Sequence, residues 1–359
     1  MVLTKIQVKS LAFVHYQHSD LENALNFFKD FGLVEEDRQP TRAFLRGNGT
    51  QPYVYLAEQS PDDSRHFIGA YWNACTAKDL ENATALPGAT AIQDLDGPGG
   101  GKVVRVKDPH GFVVGFLHGQ TLRTSQDDSL QLELATSDAR PNTATEKLRE
   151  GPTRRFKQGP SPVHKLGHFG IGVPKARYQE AMNWYTSVLN LKPTDAIFDP
   201  KTDEEITCFT HIDLGEEYTD HHAFFVGSSA TSTVAYPHHC SFEVNDFDTQ
   251  ILGHDWLRSK GWTNCWGIGR HVLGSQIFDY WFDASGNVVE HYSDGDLVNR
   301  DSPFHREPAG PNSLYIWGPN LPLAFLSGKL EDVGKVPKAP PDVVAAKPAV
   351  FENKPLEKA

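Results

Sequence analysis

The chain has 359 residues, enough for two ordinary domains, and its 39% hydrophobic and 22% charged content is that of a globular protein. A formal net charge of -12, with no basic stripe, argues against nucleic acid as a partner. The opening MVLTKIQVKSLAF has no long apolar run, so neither a signal peptide nor a membrane span is expected. Cys75, Cys208, Cys240 and Cys265 are scattered with no C-x-x-C pair. That predicts reduced thiols in an intracellular, cytoplasmic protein, not a disulfide frame or a zinc-thiolate site.

In chain order, the first half reads as a strand-helix-strands unit over about 10–59 and another over about 64–118. Residues 20–33, DLENALNFFKDFGL, place Ala24, Phe27, Phe28 and Phe31 at i, i+3, i+4 and i+7, which predicts an amphipathic helix. Residues 123–160 are polar and punctuated by Pro141, Gly151, Pro152, Gly159 and Pro160, the composition of an interdomain linker. The second half repeats the plan over about 164–227 and 237–293. Its first helix, in 178–191, carries Ala181, Trp184, Tyr185 and Val188 at the same spacing. Residues 277–282 and 288–292 read as two strands around a turn at 284–287. Beyond Leu330 the chain is rich in Lys, Pro and Ala and reads as an extended tail.

The halves also align residue by residue. Asp108-Pro-His-Gly-Phe-Val-Val-Gly115 matches Asp283-Ala-Ser-Gly-Asn-Val-Val-Glu290 without gaps, at a constant offset of 175. The expected fold is α+β, with four βαβββ modules forming two open barrel-like sheets. The expected units are an N-terminal domain over 1–122, a linker over 123–160, a catalytic domain over 161–300, and an extension and tail over 301–359.

Chemistry belongs to the second half. Glu290 follows a Val-Val pair in a strand that should be partly buried, and a buried carboxylate must be paired, hydrogen-bonded or bound to a metal. The position matching it in the first half is Gly115. His168 stands in the first strand of the third module, and its N-terminal counterpart is Phe13 within one or two residues. His239 opens H-C-S-F-E-V, which copies the spacing of H-F-G-I-G-V from His168. Two imidazoles and one carboxylate, with positions left open, make the facial triad of non-haem Fe(II) oxygenases. Taken singly, each histidine would read as a core residue, but three at matching module positions favour a metal site. Helix aromatics such as Phe27, Phe28, Trp184 and Tyr185 read as core. For Trp256, Trp262 and Trp266 packing and pocket lining remain equal alternatives.

The pattern H-F-x-I-x-V, H-H-x-x-F-E-V, G-R-H and D-x-x-G-N-x-x-E over about 164–293 resembles the type I extradiol catechol dioxygenases of the vicinal-oxygen-chelate superfamily. The resemblance extends to the first half as the same domain without ligands. It implies a metal held by His168, His239 and Glu290, usually Fe(II) and in some members Mn(II). It places the acid-base histidine at His221, through a match at Phe225 to the pattern H-x-x-A-F, with His222 second and Phe224 a departure from the pattern. Tyr280, ten residues before Glu290, and His271, nine before Tyr280, take the family's remaining polar positions. The implied substrates are an aromatic vicinal diol and O2, and the ring opens beside the diol. Family members commonly form homo-oligomers. Two other readings are a metal-dependent lyase or isomerase of the glyoxalase kind, which would usually need a fourth protein ligand, and a non-catalytic ligand-binding protein of the same fold.

Overall fold

The computed structural model describes residues 4–124, 144–145, 156–310, 313–335 and 337. Most of the expected linker and the tail beyond 337 lie outside the described residues. The first half runs β1 (Val8–His18), α1 (Leu21–Phe31), β2 (Val34–Gln39), β3 (Arg42–Arg46), β4 (Tyr55–Gln59), β5 (His66–Ala74), α2 (Ala77–Ala83), β6 (Gln93–Asp94), β7 (Lys102–Lys107) and β8 (Val113–His118). The second half runs β9 (Val163–Pro174), α3 (Tyr178–Val188), β10 (Leu191–Phe198), β11 (Glu205–Ile212), β12 (Thr219–Asp220), β13 (Phe224–Ser229), β14 (Tyr236–Val244), α4 (Phe247–Ser259), β15 (Thr263–His271), β16 (Ile277–Phe282) and β17 (Val288–Ser293). An extension adds β18 (Leu297–Val298), β19 (His305–Pro308), β20 (Tyr315–Trp317) and α5 (Leu323–Ser327).

Four βαβββ modules are present. In each, the first strand pairs in parallel with the last: β1 with β4, β5 with β8, β9 with β13, β14 with β17. Antiparallel pairs of opening strands, β1 with β5 and β9 with β14, join the modules into two large sheets. The sheets have eight and ten strands, and the two extra in the second are β19 and β20, one on each edge. The repeat extends to turn chemistry. Asp108 Oδ1 accepts from the backbone N–H of His110 and Phe112, and Asp283 Oδ1 accepts from Ser285 and Asn287. A short acceptor side chain two residues before the donor is the local force that closes such turns.

Helix α1 starts where Asp20 accepts from the N–H of Asn23 at 3.0 Å and ends at Gly32, whose φ is +111°. A Cβ at Gly32 would lie 1.7 Å from the carbonyl oxygen of Ser161, so left-handed backbone and close approach both demand glycine. Its buried face is Leu21, Ala24, Phe27, Phe28 and Phe31, as the spacing predicts. Each fully buried phenylalanine contributes about 1.5–3 kcal/mol. In α3 the buried stripe is Tyr178, Ala181, Met182, Tyr185 and Val188. Trp184, expected on that stripe, sits beside it and is half-buried, with its ring edge-on to Tyr185.

One core runs through both sheets. Phe31 stacks on His291 at 3.6 Å, and His291 Nε2–H donates to the Phe31 carbonyl at 2.7 Å. Asp30 accepts from the indole N–H groups of both Trp256 and Trp262, at 3.1 and 2.9 Å. Two of the three undecided tryptophans therefore clamp the halves together. Tyr185 Oη donates to Asp108 at 2.9 Å, joining module two to module three. All four cysteines are free, and among the described residues no helix is long and apolar enough to cross a membrane.

Candidate active site

Strand register builds the site. Ser241 of β14 lies opposite His168 of β9 on one side and Glu290 of β17 on the other, and Tyr280 of β16 lies opposite Glu290. Directly opposed residues share a sheet face, and so do residues two apart in one strand, so His239 joins the row from β14. The donor atoms converge. His168 Nε2 is 3.1 Å and His239 Nε2 is 3.5 Å from Glu290 Oε2, and the two imidazole nitrogens are 3.2 Å apart. All three side chains are buried, Glu290 completely, and neither of its carboxylate oxygens has a hydrogen-bond partner.

An isolated buried carboxylate is costly, and two imidazole lone pairs facing it do not relieve that cost. A divalent cation does. Bonds of about 2.1 Å in octahedral geometry put neighbouring donors about 3 Å apart, close to the spacings seen. The surroundings favour neutral ligands. Burial, assisted by the neighbouring imidazoles His238 and His168, holds His239 well below its ordinary pKa. An imidazole needs its lone pair to bind a metal. His239 Nδ1 lies 2.8 Å from His238 Nδ1, so a ligating His239 donates its N–H to His238. Burial lowers the pKa of His238 to about 4, which keeps it an acceptor. The sequence placed His238 at the pocket wall or surface and missed this partnership, for which adjacency to His239 is the only signal.

His168 and His239 lie on a cavity of about 340 Å³ whose walls also include His222, His271, Tyr280, Phe225, Leu314 and Phe325. His271 Nδ1–H donates to the Leu314 carbonyl at 2.7 Å, which leaves Nε2 to accept from Tyr280 Oη–H at 2.8 Å. Burial, then the Glu290 carboxylate, pushes the Tyr280 phenol well above its ordinary range, so it stays protonated. Trp266, the third undecided tryptophan, lies parallel to Tyr280 and donates to the Pro319 carbonyl.

One expectation is corrected. His222, not His221, faces the triad: its ring is 4.0 Å from that of His168, and it lines the cavity. His221 points away, to Asp195 Oδ2 at 2.7 Å. The expectation extended strand alternation back from Phe225. Strand β13 begins only at Phe224, with bends at His221 and Ala223. His222 and Phe225 both face the cavity although they are three apart, which a two-residue period cannot provide. Phe224 is fully buried on the other side of the sheet against Tyr185 and Phe169.

In the first sheet the corresponding row is Phe13, Tyr71, Gly115 and Arg105. Gly115 thus stands where Glu290 does and Phe13 where His168 does. A Cβ at Gly115 would lie 2.0 Å from the Tyr71 ring, which itself stacks on Phe13 at 4.1 Å. Rings fill this row.

Comparison with known proteins agrees. The model of the Glyoxalase/Bleomycin resistance protein/Dioxygenase superfamily matches residues 165–291. Metapyrocatechase 2 of Cupriavidus necator is 30% identical over 252 residues, covering 69% of this chain and 70% of that protein. The chain is a type I extradiol dioxygenase of this superfamily. Among solved structures, a substrate complex of homoprotocatechuate 2,3-dioxygenase from Brevibacterium fuscum has a TM-score of 0.72 at 17% identity, covering 91% of this chain and 94% of that one. The Mn(II)-bound glyoxalase of Novosphingobium aromaticivorans has a TM-score of 0.70 at 18% identity, covering 89% and 94%. These two likenesses speak to the fold. In the sequence of this dioxygenase, residues 301–330 read only as an extension before the tail. It nevertheless supplies Leu314, Leu321 and Phe325 to the cavity.

Proposed function

We propose that this dioxygenase opens the ring of an aromatic vicinal diol carrying an uncharged, apolar substituent, with His168, His239 and Glu290 holding one Fe(II). The unpartnered, fully buried Glu290 between two imidazole nitrogens carries the reading. Two histidines and one carboxylate with further positions open are the donor set of non-haem Fe(II) oxygenases, and Mn(II) is the competitor. The bound metal supplies Lewis acidity toward the diol oxygens and a place for O2. The chain's own residues do the rest. Tyr280, held by His271, orients the diol through its hydroxyl, and His222 serves as acid and base beside the ring. Residues 161–300 form the catalytic unit and 1–122 the scaffold.

The walls support the substrate class. Ile197, Phe209, Phe225, Leu273, Leu321 and Phe325 line the cavity with neutral polar groups such as Thr207 and Gln276, and among the described residues no Lys or Arg lines it. A carboxylated side chain would be buried there without a cation. The test is oxygen uptake with alkyl- or aryl-substituted catechols against 3,4-dihydroxyphenylacetate, with the product checked for both added oxygen atoms. The apolar diols should win in kcat/KM by at least about tenfold. Preference for the carboxylated diol would refute the substrate class, and failure on every catechol would refute the reaction.

A further inference from the structure

We infer that Asp195 and His221 are positioning residues that act in series on His222, setting which of its nitrogens faces the cavity bare. The inference rests on the extradiol reading of the site. Asp195 lies on β10 at a β-bulge, where the register against β11 slips between Pro193 and Asp195. The bulge lets consecutive side chains reach one target. Thr194 Oγ1 donates to the His221 carbonyl at 2.8 Å, and Asp195 Oδ2 accepts from His221 Nε2 at 2.7 Å. His211 Nδ1 holds Thr194 Oγ1 at 2.7 Å, and β19 brings His305 Nδ1 to 3.3 Å from Asp195 Oδ1. At its other end, His221 Nδ1 is 3.1 Å from His222 Nδ1. Asp195, His221 and His222 are all buried.

Hydrogen-bond bookkeeping gives this chain a direction. An ionised carboxylate only accepts, so His221 Nε2 carries a proton. A neutral His221 then has its lone pair at Nδ1. Two facing Nδ1 atoms need one proton between them, and it must belong to His222. His222 Nε2 is left without a proton, as an acceptor toward a bound diol. A buried aspartate that fixes a neighbouring imidazole's tautomer is the role a triad aspartate plays in hydrolases, here extended by one histidine.

Three variants of the full-length, metal-loaded enzyme test this. Asp195→Asn can turn an amide N–H toward His221, which reverses the chain and presents His222 Nε2–H to the cavity. His221→Asn keeps an acceptor oxygen near the Nδ1 position, whereas His221→Leu keeps none. Single-turnover ring cleavage is measured alongside metal content and anaerobic catechol affinity. Asp195→Asn and His221→Leu should slow cleavage by about 10²-fold or more, the scale of a mis-set acid or base, with metal content unchanged and anaerobic catechol affinity changed far less than the rate. His221→Asn should recover most of the rate. Nitrogen-15 NMR of the histidine-labelled, metal-free full chain gives a readout independent of activity. The His222 proton should sit on Nδ1 in the wild type and on Nε2 in Asp195→Asn. Wild-type rates in both Asp195→Asn and His221→Leu, equal losses in the two His221 variants, or an unmoved proton would each overturn the inference. A wild-type enzyme inert toward every catechol would overturn the extradiol reading instead, and the proton's position would still decide this one.

Discussion

Glu290 dominates at the scale of single residues, because among the described residues its buried carboxylate has no hydrogen-bond partner and faces only imidazole nitrogens, those of His168 and His239 and, at 3.9 Å, that of His271. His168→Ala, His239→Ala and Glu290→Ala should each lose most bound metal in elemental analysis. Full retention by all three would remove the proposed ligand set. His238→Ala, which takes away the acceptor for His239 Nδ1–H, should weaken metal affinity by about 10–100-fold, measured by competition with a chelator. His222→Asn should keep metal and diol but slow single-turnover cleavage by about 10²–10⁴-fold. A full-speed His222 variant would move the acid-base role to His271, another imidazole on the cavity outside the triad.

Strands and segments explain how those residues meet. The proposed ligands share a row because β9, β14 and β17 are paired in a register that puts His168, Ser241 and Glu290 abreast. The extension after β17 crosses from one sheet edge, where β19 joins β10, to the other, where β20 joins β15. It places Leu314, just before β20, and Phe325, in α5 beyond it, on the cavity, with Phe325 4.7 Å from the Tyr280 ring. Phe325→Ala should raise KM for an apolar-substituted catechol by about tenfold or more, while sparing unsubstituted catechol, since one apolar contact discriminates by about 1–3 kcal/mol. Equal effects on both substrates in steady-state kinetics would deny Phe325 a role in specificity.

The whole molecule is a repeated plan used unequally. The two sheets share pairing order and turn chemistry, yet one row is filled by Phe13 and Tyr71 while the other gathers His168, His239 and Glu290. Metal analysis of the full chain should find one ion per chain, and a second would contradict the proposed scaffold role of residues 1–122. The halves are held by a shared core and by the clamp at Asp30. Asp30→Ala strands two indole donors and should cost about 1–3 kcal/mol, seen as a midpoint lowered by several degrees in thermal unfolding. An unchanged midpoint would show that water replaces the clamp.

Much was legible in sequence because repeats and periodicity are local. The 175-residue offset, the helix spacing in 20–33 and the polar outliers His168, His239 and Glu290 are all properties of short windows, and they carry the module plan and the triad's composition. What they could not carry is direction at a break in regularity. Two adjacent histidines before a strand give opposite answers for a shift of one residue, and only the bends at His221 and Ala223, with Asp195 and Thr194 reaching across from β10, decide which one faces the triad. The extension is the same case at larger scale. Its elements β19, β20 and α5 have only four, three and five residues, so the burial of its apolar residues depends on a wall built by residues distant in the chain, which tertiary packing alone supplies.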